Sequence, residues 1–146
     1  MKEKFRIYLC GGMGKFGKAR FGESNSWRED IKEQLEEICH KVSCCNPNDH
    51  FSFLDDSTFE SDKEVMEFDL HKLRNSDLVI VNFNDPQSIG SASEMAIAYE
   101  RRIPIIGFCE HGEEKKLHPW LKCFSNRIFT EREDLILYVI HHYLND

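Results

Sequence analysis

Asp77-Leu78-Val79-Ile80-Val81-Asn82-Phe83 is the stretch of sequence that decides the fold. It is an almost continuous apolar run, and such runs are typical of central parallel strands because helices cover both faces of the strand. A central strand needs neighbours on both sides. We therefore expect similar short runs elsewhere in the chain.

Four further runs have the length and residue types of strands in the same sheet; they are Phe5–Cys10, Val42–Cys45, 103–109 and 127–130. Helical patterns separate them. One begins at Ser26, a suitable N-cap, and has a stripe at Trp27, Ile31, Leu35 and Ile38; the others cover 62–75, 91–101 and 131–144. Alternating strands and helices give a parallel sheet with right-handed crossovers. The pattern predicts one α/β domain over residues 1–146, three-layered and Rossmann-like (flavodoxin-like), with about five parallel strands.

Two polar stretches interrupt this alternation. Residues 11–25 form a predicted loop whose Lys15, Lys18 and Arg20 could fold over a phosphate or simply solvate the loop. Residues 48–61 are polar with scattered phenylalanines, and we expect them to pass over the active face.

Composition excludes several classes of function. The formal net charge of −7 argues against nucleic-acid polymers as partners, because their binding depends on Lys and Arg contacts to phosphates. No apolar stretch approaches the roughly 20 residues of a membrane span, and residues 1–6 do not resemble a signal peptide. The six cysteines are then expected to be reduced thiols in a cytoplasmic protein, with Cys10 and Cys109 as buried thiols at strand ends.

Ligands of open parallel sheets bind outside the carboxyl ends of the strands. That rule selects residues 10–14, 46–49, 82–94 and 109–112 as one surface. Gly11 and Gly12 follow the first strand directly, and glycines there let backbone amides approach a ligand. The spacing is not that of the dinucleotide fingerprint, and a plain tight turn explains the pair equally well.

The segment from Asp85 to Glu94 carries the strongest chemical pattern. Ser88, Gly90 and the free amides of a helix start could hold an anion such as a 5′-phosphate. Glu94 could attack an anomeric carbon and form a glycosyl ester. Ser91-Ala-Ser-Glu94 also fits a capping box, in which Glu94 would accept the backbone amide of Ser91, and spacing alone favours the cap.

Other candidate residues have simpler explanations beside the functional one. Asp69 could bind sugar hydroxyls or protonate a departing base, although a lone Asp more often lies on a solvated helix face. Arg28 could reach a phosphate or form an exposed ion pair, and Trp27 fits the core better than a stacking platform. A zinc site at Cys39-His40, Cys44-Cys45 and His50 is disfavoured, because adjacent strand residues point to opposite faces and no Cys-x-x-Cys pair exists.

Taken together, the segments resemble the nucleoside 2-deoxyribosyltransferase family and its relatives, the 2′-deoxynucleoside 5′-phosphate N-hydrolases. The resemblance runs from about residue 5 to residue 109 in the same order. Its most specific part is the pattern Gly-x-x-x-Glu-hydrophobic-x-x-Ala at 90–98. The other matching segments are 7–12, 27–28, 46–47, 69, 77–81 and 103–106.

The resemblance implies roles for individual residues. Glu94 would be the nucleophile, Asp69 the acid that supports the sugar and the leaving base, and Tyr8 the residue that orients Glu94. With these implied roles, the nucleophile is favoured over the helix cap as the role of Glu94. The residues expected to contact substrate are Gly11, Gly12, Arg28, Asn82, Asp85, Ser88 and Gly90.

The resemblance also sets expectations about partners. We expect a small-molecule nucleoside or nucleotide as substrate, no cofactor or metal, and no membrane or nucleic-acid polymer as partner. We expect a homodimer or larger homo-oligomer with shared active sites, and residues 141–146 are a candidate for completing the neighbouring site. Two questions stay open at this point: hydrolysis against transfer to another base, and an enzyme against a non-catalytic nucleotide sensor that uses the same pocket.

Overall fold

The computed structural model describes residues 4–12, 18–50, 61–85 and 87–145, without the side chains of 18–24, 50 and 113. Lys15 and most of the predicted excursion over 48–61 lie outside these ranges. Residues 47–50 form a short 3₁₀ turn.

A single parallel sheet of five strands forms the middle layer, in the order β2-β1-β3-β4-β5. The strands are β1 (Phe5–Cys10), β2 (Val42–Cys45), β3 (Leu78–Asn82), β4 (Ile105–Phe108) and β5 (Arg127–Phe129). The predicted runs at 77–83, 103–109 and 127–130 each contain one of these strands. The predicted fold class is therefore confirmed.

Helices cover both faces of the sheet; they are α1 (Lys18–Ile38), α2 (Asp62–Arg74), α3 (Ile89–Glu100), α4 (Pro119–Phe124) and α5 (Arg132–Val139). One core cluster joins the sheet to α1 and α5, and a second joins it to α2, α3 and α4. No helix within the described ranges is long and apolar enough to cross a membrane.

Successive side chains of β1 point to opposite faces of the sheet and therefore pack against different helices. Ile7 and Leu9 pack toward α1 and α5, whereas Tyr8 and Cys10 pack toward α2 and α3. The strand order reverses between β1 and β3, where Tyr8 pairs with Val79. Such a reversal opens a crevice at the carboxyl ends of the strands, and Tyr8 and Cys10 stand at that edge.

The helix predicted from Ser26 begins earlier, at Lys18. Ser26 is therefore not an N-cap, and residues 18–25 of the predicted loop are helical. Lys18, Ala19 and Arg20 are good helix formers, and the later buried stripe at Trp27, Ile31 and Leu35 anchors the helix against the sheet. Tertiary packing of this stripe outweighs the weak helix propensity of Gly22 and of residues 24–26.

The C-terminal segment packs on its own subunit. After α5 the chain continues as a π-helical turn, Ile140–Leu144. Tyr143 and Leu144 pack against the core that α1 and α5 share, and the Tyr143 ring lies 6.2 Å from that of Phe5. This placement gives the tail a structural role within its own chain.

Candidate active site

Glu94 lies in the second turn of α3, not in its first. The helix begins at Ile89, and Ser88 is its N-cap, with the Ser88 Oγ accepting the Ser91 backbone amide at 3.3 Å. The predicted capping box between Ser91 and Glu94 is therefore wrong. It fails because the helix starts two residues before Ser91, so another serine already satisfies that amide.

The Glu94 carboxylate is instead held by two side chains of β1. The Tyr8 hydroxyl donates to Oε2, and the Cys10 thiol lies 3.4 Å from Oε1. Residues two apart on a strand share a face, so both donors reach α3 from the same side of the sheet. The nucleophile candidate is thus fixed by a neighbouring strand and not by its own backbone.

Burial and hydrogen bonding act in opposite directions on Glu94. Burial raises the pKa of its carboxyl, while the hydrogen bonds from Tyr8 and Cys10 and the charge of Arg28 lower it, and the net pKa lies above the usual value. Burial and the nearby Glu94 carboxylate also hold the pKa values of the Tyr8 phenol and the Cys10 thiol well above their usual ranges. Both groups therefore remain protonated donors.

Asp69 on α2 is the second carboxylate of the site. Its Oδ1 is buried, and no residue in the described part of the chain donates a hydrogen bond to it. Burial, and then the charge of Glu94, raise its pKa to about 7 against the opposing effect of Arg28. The alternative of a solvated helix face is therefore wrong for Asp69. A carboxyl with this pKa can give or take a proton near neutral pH.

Arg28 on α1 is fully buried, so the alternative of an exposed ion pair is wrong. Its Nε donates to the Leu9 carbonyl at 3.1 Å and its Nη2 to the Gly11 carbonyl at 2.9 Å. Its Nη1 lies 3.5 Å from the Gly12 carbonyl. Arg28 thus ties the end of β1 to α1, and its positive charge lowers the pKa of both carboxyl groups.

Close packing requires glycine at position 11, whereas at position 12 the near neighbour is the flexible end of the Asp85 side chain. A Cβ on Gly11 would lie 2.8 Å from Cζ2 of Trp27, and one on Gly12 would lie 3.0 Å from Oδ2 of Asp85. Trp27 is buried and makes an edge contact with Phe108, at 5.7 Å between ring centroids. Trp27 therefore belongs to the core, and Asp85 lies against the glycine turn.

The other predicted contact residues lie between the last residue of β3 and the first turn of α3. Asn82 Oδ1 accepts the Asn84 amide at 2.8 Å, which shapes the start of the loop. Ser88 Oγ also accepts the Ser91 hydroxyl, at 2.9 Å. Gly90 is exposed, and a Cβ built on it would meet no atom of the described residues within 4 Å. The first turn of α3 is therefore open at its surface.

Cys10 is the site residue that sequence reasoning assigned only to the core. The signal available in the sequence was its position two residues after Tyr8 on one strand. The disfavoured zinc cluster gains no support: Cys44 and Cys45 pack into opposite core clusters. Within the described ranges, no group of three or more His, Cys, Asp or Glu residues is placed to hold a metal.

Residues 4–112 match the family model described as nucleoside 2-deoxyribosyltransferase like. No curated protein matches the chain.

Several solved structures share the fold. A conserved protein from Enterococcus faecalis has a TM-score of 0.74 at 18% identity, over 94% of this chain and 98% of that one. A 2-deoxyribosyltransferase from Bacillus psychrosaccharolyticus has a TM-score of 0.70 at 18% identity, over 91% of each chain. A CMP N-glycosidase from Clostridium botulinum has a TM-score of 0.61 at 19% identity, over 94% and 98%.

Proposed function

Because the chain belongs to the nucleoside 2-deoxyribosyltransferase-like family, we propose that it cleaves the N-glycosidic bond of a nucleoside or nucleoside 5′-monophosphate with Glu94 as nucleophile. The observation that carries this proposal is the placement of the Glu94 carboxylate, which two β1 side chains hold at the carboxyl edge of the sheet. A carboxylate fixed in this way is oriented before substrate arrives, and orientation supplies a large part of catalysis.

In the proposed first step, Glu94 attacks C1′ of the sugar. The C1′–N bond breaks, its electron pair leaves with the base, and a glycosyl ester remains on Glu94. The raised pKa of Glu94 means that the carboxylate is poorly stabilised by its surroundings and reacts readily once ionised. Tyr8 remains hydrogen-bonded to Oε2, which becomes the ester carbonyl oxygen.

Asp69 serves as the acid in the proposed reaction. A pKa of about 7 keeps a large fraction of its carboxyl protonated near neutral pH, and the protonated form can pass its proton to the departing base. The carboxylate formed in this step can then take a proton from the incoming water or acceptor base. The buried Oδ1, which accepts no hydrogen bond from the described residues, is suited to a ligand group, since a buried oxygen of this kind needs a donor.

A substrate phosphate would lie at the first turn of α3. Ser88 and Gly90 lie at that turn, Gly90 is exposed, and helix N-termini favour anions. Gly11 and Gly12 would face the sugar, with Asn82 and Asp85 shaping the loop beside it. Arg28 is assigned to support of the glycine turn, because it is buried behind that turn.

The fate of the glycosyl ester separates the two forms of the reaction. Water gives hydrolysis, and an acceptor base gives transfer of the sugar. The open first turn of α3 fits a 5′-monophosphate, the substrate class of the hydrolase branch. We therefore place hydrolysis of a 5′-monophosphate first and deoxyribosyl transfer second. We also propose a cytoplasmic homodimer or larger homo-oligomer with shared active sites.

The test is a chromatographic screen for released base, with nucleosides and 5′-monophosphates, each with and without an acceptor base. We expect the wild type to release base and Glu94→Gln to lose activity by at least about a thousandfold, because removal of a catalytic nucleophile causes losses of this size or larger. Glu100→Gln is a matched control, because Glu100 is exposed at the far end of the same helix. If the wild type and both variants bind a monophosphate and none of them releases base, the non-catalytic sensor is supported instead.

A further inference from the structure

The thiol of Cys10 has two acceptors and one proton. Its Sγ lies 3.4 Å from Oε1 of Glu94 and 3.8 Å from the backbone carbonyl oxygen of Ser91. Both distances are within the range of a sulfur donor, whose hydrogen bonds are long and weak. Cys10 itself is fully buried, so no water competes for its proton.

The two acceptors differ in charge during the proposed reaction. Glu94 Oε1 is part of a carboxylate before attack and part of a neutral ester afterwards, while the Ser91 carbonyl is unchanged. A hydrogen bond to a charged acceptor is stronger than one to a neutral acceptor. Rotation of the thiol proton about the Cβ–Sγ bond is enough to exchange one acceptor for the other.

The two oxygens of Glu94 also receive donors of different strength. Oε2 accepts from the phenol of Tyr8, whereas Oε1 accepts from a thiol. A phenol withdraws more charge from its acceptor than a thiol does, so Oε1 keeps the greater nucleophilicity. A weak donor at Oε1 can fix the rotamer of the carboxylate without suppressing its attack.

We propose that Cys10 is a positioning residue for Glu94, which presents Oε1 as the attacking oxygen and passes its hydrogen bond to the Ser91 carbonyl when the ester forms. The thiol keeps its proton throughout and no electrons pass through sulfur. This inference rests on the proposed function. It adds two points to that function. One is which oxygen of Glu94 attacks, and the other is a hydrogen-bond donor that changes its acceptor when Glu94 loses its charge.

The test compares Cys10→Ala and Cys10→Ser with the wild type. Loss of the thiol removes a donor that lowers the pKa of Glu94, so the acid limb of the kcat/KM profile should move to higher pH in Cys10→Ala. We expect kcat to fall about 3- to 10-fold, because that change corresponds to the loss of one modest hydrogen bond, and we expect little change in KM. Cys10→Ser restores a donor and should return the acid limb toward its wild-type position.

Cys109→Ala is the matched control, because Cys109 is also a buried strand-end thiol in the same core cluster and lies 3.8 Å from the Phe83 carbonyl. A purely structural effect of losing a buried thiol would appear in both alanine variants, without movement of the acid limb. If Cys10→Ala and Cys109→Ala have the same pH profile, the positioning role is wrong.

A second measurement does not depend on turnover. The carboxyl of Glu94 can be titrated by carbon NMR in protein labelled at glutamate, with Glu94→Gln to assign the resonance. We expect a higher pKa in Cys10→Ala than in the wild type, and no change in Cys109→Ala. An unchanged titration overturns the inference even if the enzyme is active. A wild type that shows the expected titration but releases no base from any substrate overturns the proposed function instead.

Discussion

The hydroxyl of Tyr8 donates a hydrogen bond to Oε2 of Glu94 and joins β1 to α3 across 86 positions of the chain. Two consequences follow from this contact. The phenol orients the carboxylate toward the edge of the sheet, and it stabilises the ionised form of Glu94 against the cost of burial.

Tyr8→Phe should slow the reaction and move its acid limb. Removal of a donor that lowers the pKa of Glu94 raises that pKa, so a higher pH is needed to ionise the nucleophile. A hydrogen bond to a charged group is worth enough for a loss of about 10- to 100-fold in kcat/KM. The measurement is the pH dependence of base release. Tyr99→Phe, on the exposed side of α3, should leave it unchanged, and an unshifted acid limb in Tyr8→Phe would argue against the orienting role.

Asp69→Asn should remove the alkaline limb of the activity profile. Asp69 has a pKa of about 7, so the wild type should lose activity as the pH rises through that value and the acid loses its proton. We expect a loss of about 10²- to 10⁴-fold in Asp69→Asn for an ordinary base. A substrate whose base leaves without protonation should recover much of this loss. Glu67→Gln, at an exposed position of α2, is the control.

The same substitution should stabilise the fold at alkaline pH. The folded state raises the pKa of Asp69 from 3.8 to about 7, so it binds a proton more readily than the unfolded chain does. Stability from this group is therefore present below pH 4 and is lost as the pH rises toward and through 7. We expect Asp69→Asn to raise Tm by about 2 °C or more at pH 8, and by less at pH 5. An equal difference at both values would contradict the assigned protonation.

Gly11→Ala and Gly90→Ala should change stability in opposite directions. A methyl group on Gly11 would lie 2.8 Å from the buried Trp27 ring, so we expect a loss of about 1–3 kcal/mol in the free energy of unfolding. A methyl group on Gly90 would meet no described atom within 4 Å, and because Gly90 is in a helix, alanine should add about 0.4–1 kcal/mol there. Urea unfolding measures both changes in stability.

Gly90→Ala should also weaken binding of a 5′-monophosphate more than that of the corresponding nucleoside. Equal effects on the two ligands would contradict a phosphate site at this turn.

The parallel sheet was predictable because its signal is local. Leu78, Val79, Ile80 and Val81 are fully buried, and a strand covered on both faces must be apolar at every position. The start of α1 was not predictable in this way. Gly22 and the polar residues 24–26 suggest a loop, and the packing that keeps them helical comes from residues later in the helix.

The candidate site was predictable in its carboxylates but not in their surroundings. The spacing of Ser91 and Glu94 fits a cap, and the contact that overrides it comes from a strand more than 80 positions away. The burial of Asp69 and Arg28 likewise depends on how α1 and α2 meet the sheet. Periodicity in one sequence carries no information about such long-range contacts. The resemblance of the motifs to those of a known family is what proposed these residues for the candidate site.

Because Ser88 and Glu94 lie on the same helix, α3 fixes the distance between them. Ser88 caps the helix and Glu94 stands six positions later, which corresponds to a rise of about 9 Å. In the proposed reaction, the distance between a phosphate bound at Ser88 and the carbon attacked by Glu94 would be set by helical pitch and not by a loop. Exchanges among residues 89–93 preserve this length, whereas inserting one residue would turn the carboxylate by about 100° around the axis and away from β1.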